Sequence, residues 1–85
     1  MRNTIRIYDN GGRTYDRYTA IDMNRPEGRG TYAAIGSSEF PFHPQGFGQH
    51  TSAMPGRHLG RRVTLADLPE QARQFVSQFA AETDA

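Results

Sequence analysis

Along residues 4–8 apolar and polar positions alternate, so that Ile5 and Ile7 fall on one side of an extended chain and Arg6 and Tyr8 on the other. Period two predicts a strand, and the following Asp9-Asn10-Gly11-Gly12 predicts a hairpin turn. Residues 13–23 are rich in β-branched and aromatic side chains and predict a second, antiparallel strand. Ile21 and Met23 lie on one of its faces and Tyr18 and Ala20 on the other, and the pattern leaves open which is buried. Residues 24–30 hold Pro26, Gly28 and Gly30 and read as a polar connection, after which residues 31–36 predict a third strand and complete a meander.

The pattern changes twice more. Residues 40–50, Phe-Pro-Phe-His-Pro-Gln-Gly-Phe-Gly-Gln-His, are too apolar for a solvated linker and too interrupted for a helix. Prolines that fix φ and glycines that free it predict an ordered, non-repetitive loop, and a loop of this length inside a small domain is expected either to bind something or to pack as a unit. Residues 51–60 are again rich in breakers, and residues 61–65 predict a short edge strand or an extended lead-in. From Asp67-Leu68-Pro69 onward the period becomes helical. Leu68, Ala72, Phe75, Val76, Phe79 and Ala80 recur at steps of three and four and make one apolar stripe over residues 68–81. Gln71, Arg73, Gln74, Gln78 and Glu82 occupy the opposite side. Such a helix is marginal alone and must lay its stripe on a sheet. The expected fold is a single α+β domain over residues 1–85. It has a small antiparallel sheet of three to four strands, a long ordered loop and one C-terminal helix packed on the sheet.

Composition narrows the function. With 85 residues and 35% apolar content the core must lean on nine aromatics, because a chain this short buries only about 60–65% of its unfolded surface. No cysteine is present, which removes disulfides, thiolate metal sites and a cysteine nucleophile. Dimerisation is a reasonable source of extra stability, and the chain is expected to be a monomer or a homodimer. No apolar run is long enough to cross a bilayer, and residues 1–4 lead straight into the first strand rather than through a signal peptide, so a cytoplasmic protein with no membrane partner is expected. The net charge of +1 conceals an asymmetry. Residues 1–62 carry nine Arg against five acids, and residues 63–85 one Arg against four. Every cation is Arg and none is Lys, supplying planar forks suited to phosphate and carboxylate.

No grouping of residues spells out a reaction. His43, His50 and His58 are zinc-competent donors, but spacings of seven and eight match no ligand pattern, so no metal or cofactor is expected. Asp16 or Asp22 with a loop histidine is an acid–base pairing of the kind that arises by chance, and no serine sits in a nucleophile elbow. The glycines after Asp9 lack the lysine and helix of a phosphate loop, and a lone Gly28-Arg29-Gly30 is weak as an RNA-binding motif. Arginines interleaved with tyrosines at 6, 8, 13, 15, 17 and 18, with Arg57, Arg61 and Arg62, suit nucleic acid, yet the charge falls short of a strongly basic domain. The same residue types anchor protein interfaces. A non-enzymatic binding protein is therefore expected, contacting its partner through Phe42, His43, Gln45, Phe47, Gln49 and His50 of the loop and through Arg17, Arg57, Arg61 and Arg62.

Four blocks, residues 5–12 (IRIYDNGG), 16–19 (DRYT), 43–50 (HPQGFGQH) and 58–62 with 67–69 (HLGRR, DLP), resemble a family of small proteins carried by phages, plasmids and prophages of GC-rich bacteria, a family that includes a type I-C anti-CRISPR protein. The resemblance spans nearly the whole chain. It implies an inhibitor that binds the crRNA-guided Cascade complex in the host cell and keeps target DNA from docking, without catalysis. The chain departs from the acidic DNA-mimic pattern, because its net charge is positive; mimicry would need a local patch such as Asp67, Glu70, Glu82 and Asp84, or Asp9, Asp16 and Asp22. A steric or aromatic-anchored interface fits better. The alternative is a nucleic-acid-binding accessory protein of a mobile element.

Overall fold

Alternation of Ile5, Ile7 and Asp9 with Arg6 and Tyr8 produces strand β1 (Ile5–Asp9), and the antiparallel partner expected after it is β2 (Tyr18–Gly28). The structure is a computed structural model and describes residues 4–14, 16–38 and 49–84. Three further strands follow, β3 (Thr31–Ser37), β4 (Gln49–Ala53) and β5 (Arg61–Val63), then helix α1 (Glu70–Asp84). The sheet is antiparallel throughout with order β4-β3-β2-β1-β5. The α+β class, the antiparallel sheet and the single C-terminal helix agree with the sequence pattern. The sheet has five strands where three to four were expected.

The additional strand is β4. Its sequence, Gln-His-Thr-Ser-Ala, has no alternation of strong apolar residues, and it is a strand because β3 offers a free edge, pairing Ala34 with Thr51 and Ala33 with Ser52. Residues 49 and 50 of the expected loop thus belong to the sheet, and residues 40–48 lie outside the described residues. The edge strand expected over residues 61–65 is the three-residue β5, which pairs with the outer side of β1.

Between β1 and β2 the chain makes a wider loop than a four-residue turn, and the second strand starts at Tyr18 rather than Arg13. The Asn10 side chain explains this. Its carbonyl accepts the amides of Gly12 and Arg13 (2.8 and 3.0 Å), and its amide nitrogen donates to the Thr14 hydroxyl and the Asp16 carbonyl. Satisfying four groups locally makes the loop its own hydrogen-bonded unit.

Strand β2 also runs farther than expected and absorbs most of the polar connection. Three extra residues are accommodated between the Ile21–Ala34 and Pro26–Tyr32 pairs. Asp22 holds this bulge, its Oδ1 accepting the Asn24 amide at 2.9 Å. Pro26 pairs with Tyr32 between two shifts of register, a bulged stretch of the kind in which a sheet tolerates a missing donor. The β2–β3 turn has positive φ at both central residues, Arg29 (55°) and Gly30 (78°), as a two-residue hairpin turn demands. The Gly28-Arg29-Gly30 triplet serves that turn.

Both faces of the sheet are covered, which answers the question left open for β2. One face carries Ile5, Ile7, Tyr18, Ala20, Ala33 and Ile35 and packs against α1 through Ala72, Val76, Phe79 and Ala80, with Leu68 alongside. The helix stripe is as the periodicity predicts, buried at each position except the half-buried Phe75. Each fully buried large side chain on it, such as Phe79 or Val76, stabilises the fold by roughly 1.5–3 kcal/mol. On the opposite face Tyr8, Ile21 and Ala34 form a second, smaller cluster flanked by Met23, Tyr32, Ala53 and Leu59. The helix begins one residue later than expected. Pro69 supplies the first carbonyl, accepting the Arg73 amide at 2.9 Å.

Among the described residues no helix is long and apolar enough to cross a membrane.

Candidate functional site: the arginine edge around Asp9

The alternation that turns Ile5 and Ile7 inward also turns Asp9 inward, placing a carboxylate at the end of β1, between β2 and β5, with only 6% of its surface exposed. A charge in that position requires partners. Arg17, across the mouth of the hairpin, donates through Nε to Asp9 Oδ1 (2.8 Å) and through Nη2 to Oδ2 (3.2 Å), a forked, charge-assisted pair. The Gly11 amide donates to Oδ1 at 2.8 Å, and Arg61 approaches Oδ2 at 3.7 Å. The hydrogen bond from Arg17 is the main reason the Asp9 carboxyl is held below its ordinary pKa; the Gly11 amide and the charges of Arg17 and Arg61 add to it, while burial opposes it.

Register explains why Arg61 and Arg62 project differently. Arg61 pairs with Asp9 and shares its helix-side face, whereas Arg62 pairs with Tyr8 and belongs to the opposite face, with its guanidinium 5.7 Å from the centre of the Tyr8 ring. Arg17 lies 5.3 Å from the centre of the Tyr18 ring. Both are cation–π contacts, worth about 0.5–1 kcal/mol at exposed sites. Edge strand β5 therefore carries one arginine toward each face of the sheet, and both are exposed.

The segment before β5 is docked by a close approach. A 3-10 turn (Arg57–Leu59) buries Leu59 partly in the second cluster and ends at Gly60, with φ at 102°. A Cβ at Gly60 would collide with the carbonyl oxygen of Asp9 and with Asn10 Cα, so only glycine lets β5 lie against β1 at this point. Downstream, Asp67 Oδ2 accepts both the backbone amide (2.9 Å) and the hydroxyl (3.0 Å) of Thr64, which keep its carboxyl below the ordinary value. This clasp turns the chain from β5 toward α1.

Of the expected contact residues, Arg17 and Arg61 meet at Asp9, Arg62 lies over Tyr8 on the opposite face of the sheet, and Arg57 stands exposed on the 3-10 turn just upstream. Phe42, His43, Gln45 and Phe47 lie outside the described residues. Gln49 and His50 begin β4, at the far side of the sheet from β5. Four strand spacings separate the two edges, about 19 Å. Sequence reasoning missed Asp9 and Gly60 as organisers of the edge. The available signal for Asp9 was an acid in the third inward position of an otherwise apolar alternation.

The other carboxylates considered for chemistry have structural surroundings. Asp22 is fully buried beside the bulge that it holds, and Asp16 is exposed beside Gly36. Among the described residues no three His, Asp or Glu side chains gather as a metal site would require. A cleft of about 470 Å³ opens at the β4 side, lined by Arg25, Glu27, Thr51 and Ser52 over Ala33, Ala34 and Phe79.

The arginine edge can hold flat, forked anions, carboxylate or phosphate, and offers Tyr8 and Tyr18 as stacking partners for its own cations. No protein-family model, curated protein or solved structure matches this chain.

Proposed function

We propose that this protein is a non-enzymatic inhibitor that binds a type I CRISPR effector complex in the host cytoplasm and blocks docking of target DNA, with the β1–β5 arginine edge as contact surface. The observation that supports the reading is that Arg61 and Arg62 stand exposed on a three-residue edge strand, Arg61 within 3.7 Å of the Asp9 carboxylate that Arg17 holds and Arg62 over the Tyr8 ring. Exposed arginines beside aromatic rings are the composition of interface anchors. The block pattern of the sequence supplies the partner class. The positive edge supports steric occlusion anchored on acidic groups of the complex rather than imitation of DNA charge.

Co-purification of the tagged protein with the Cascade complex, together with restored plating of a targeted phage in a host with active type I interference, is the expected result. A protein that restores plating yet recovers no effector subunit rules out direct binding, and one that does neither removes the whole reading.

A second reading is favoured by the same Arg61–Arg62 pair: phosphate contact by a nucleic-acid-binding accessory protein. Salt-dependent retardation of short DNA or RNA, weakened by the Arg61→Ala, Arg62→Ala double variant, distinguishes it from the first.

A further inference from the structure

Strand β5 ends the sheet on the side away from β4, and the chain leading into and out of it is described throughout. Among the described residues β1 is its only strand partner, and helix α1 packs chiefly on β2 and β3. Arg57, His58, Arg61, Arg62 and Thr64 are exposed along it, and the Arg61 side chain keeps 74% of its surface in solvent. The outer side of β5 thus offers backbone donors and acceptors beside two cations. Neither nearby acid fully answers those cations. Asp9 gives its forked bonds to Arg17 and stands 3.7 Å from Arg61, while Asp67 Oδ2 is taken by the Thr64 amide and hydroxyl.

We infer that this edge accepts an acidic extended segment of a partner protein as a sixth, antiparallel strand, two adjacent carboxylates of that segment meeting Arg61 and Arg62. The inference rests on the reading that the β1–β5 edge is the contact surface, and it names what that surface takes. Register carries it. Arg61 pairs with Asp9 on the helix-side face and Arg62 with Tyr8 on the opposite face, so a flat surface laid on one side of the sheet meets only one of them. Consecutive residues of a strand point to opposite faces in the same way, and a residue paired across from either arginine shares its face. Val63 shares the helix-side face with Arg61 and packs against the core there, so the segment reads apolar, acid, acid across from Val63, Arg62 and Arg61. A peptide suits the edge better than a nucleic acid, because an open strand presents acceptors as well as donors and phosphates answer only the donors. A second copy of this chain is disfavoured, since two β5 strands paired antiparallel about Arg62 would set like charges directly opposite each other. The arginines that guard the edge against other strands thus select an acidic one.

Titrating the isotope-labelled full chain with a short capped peptide carrying Val-Glu-Glu at its centre is expected to shift the amide resonances of residues 61–63 and to slow their hydrogen exchange, as new ladder bonds require. A peptide of equal charge carrying Glu-Val-Glu, whose acids share one face, is expected to bind about fivefold or more weakly. Arg61→Ser and Arg62→Ser should each weaken the Val-Glu-Glu peptide by about the same factor, with the circular dichroism spectrum unchanged. Equal affinity for the two peptides, indifference to both substitutions, shifts without slowed exchange, or no shift up to about millimolar peptide overturns the inference. So does a DNA oligonucleotide that binds residues 61–63 more tightly than the Val-Glu-Glu peptide at physiological salt. The two readings fail separately. Recovery of the effector complex through Arg61 and Arg62 without the peptide preference removes the added strand and keeps the contact surface. Slowed exchange with the preference for adjacent acids, but no complex recovered, keeps the added strand and removes the effector as its partner.

Discussion

Arg17 grips Asp9 across the open end of the first hairpin with two hydrogen bonds, Nε to Oδ1 at 2.8 Å and Nη2 to Oδ2 at 3.2 Å. The carboxylate is nearly buried and the guanidinium half-covered, so the pair ties β1 to β2 where the backbone ladder ends. It also fixes the charge against which Arg61 is set.

Replacing Arg17 by Met leaves Asp9 with the Gly11 amide and the more distant Arg61. Loss of about 2 kcal/mol of stability is expected in urea unfolding, the range for a charge-assisted bond to a buried carboxylate. The Asp9 pKa should return toward its ordinary value, read from its side-chain carbonyl resonance. An unchanged urea midpoint would show that the pair contributes nothing net.

Acid should unfold the protein partly through the same group. The folded pKa of Asp9 lies below the ordinary 3.8, so the contribution is complete above that value and is lost as pH falls through the folded pKa. The Asp9→Asn variant is expected to be less stable than wild type at neutral pH and to show a shallower decline below the ordinary carboxylate range. Parallel acid limbs for the two proteins would assign the pH dependence to other carboxylates.

Gly60→Ala combines a left-handed backbone with a Cβ driven into the Asp9 carbonyl. A cost of about 2 kcal/mol or more follows from the conformation and the clash together. Because the clash sits where β5 meets β1, amide exchange should rise first at residues 61–63 while the helix and β3 stay protected, which hydrogen exchange by NMR can resolve.

Helix α1 and β1 were legible in the sequence because each buries one side of a strictly periodic pattern, Leu68 through Ala80 at helical steps and Ile5 with Ile7 at alternate positions. Strand β4 was not, because nothing in Gln-His-Thr-Ser-Ala is apolar enough to mark a face; its conformation comes from the free edge of β3, a tertiary cause. The extension of β2 through Pro26 was hidden for a related reason, since a proline argues against a strand unless it sits at a bulge, as Pro26 does between two shifts of register. The arginines were visible as a composition and their grouping was not. Arg17 and Arg61 are 44 residues apart in sequence, and only the return of β5 to β1 brings both to Asp9.

Asp22 tests a buried carboxylate with one satisfied oxygen. Oδ1 accepts the Asn24 amide, whereas Oδ2 is buried without a partner. Asn keeps the acceptor and removes the charge, so Asp22→Asn should leave thermal stability unchanged or raise it. Asp22→Ala strands the Asn24 amide and should cost about 1–3 kcal/mol. Equal losses in both variants would mean that the charge itself has a partner in solution.

Arg61→Glu with Arg62→Glu separates folding from function. Both side chains are exposed and their contacts, a 3.7 Å approach to Asp9 and a stack over Tyr8, are weak ones at the surface, so each charge reversal should change stability by no more than about 1 kcal/mol. Binding is a different matter, because a like charge set against an acidic partner costs several kcal/mol at an interface. The double variant is therefore expected to fold, keep its thermal midpoint within a few degrees, and lose recovery of its partner by at least about a hundredfold. Retained affinity in a folded double variant would move the contact surface away from β5. A parallel loss with Arg57→Glu would extend it along the 3-10 turn, and its absence would confine the anchor to the strand.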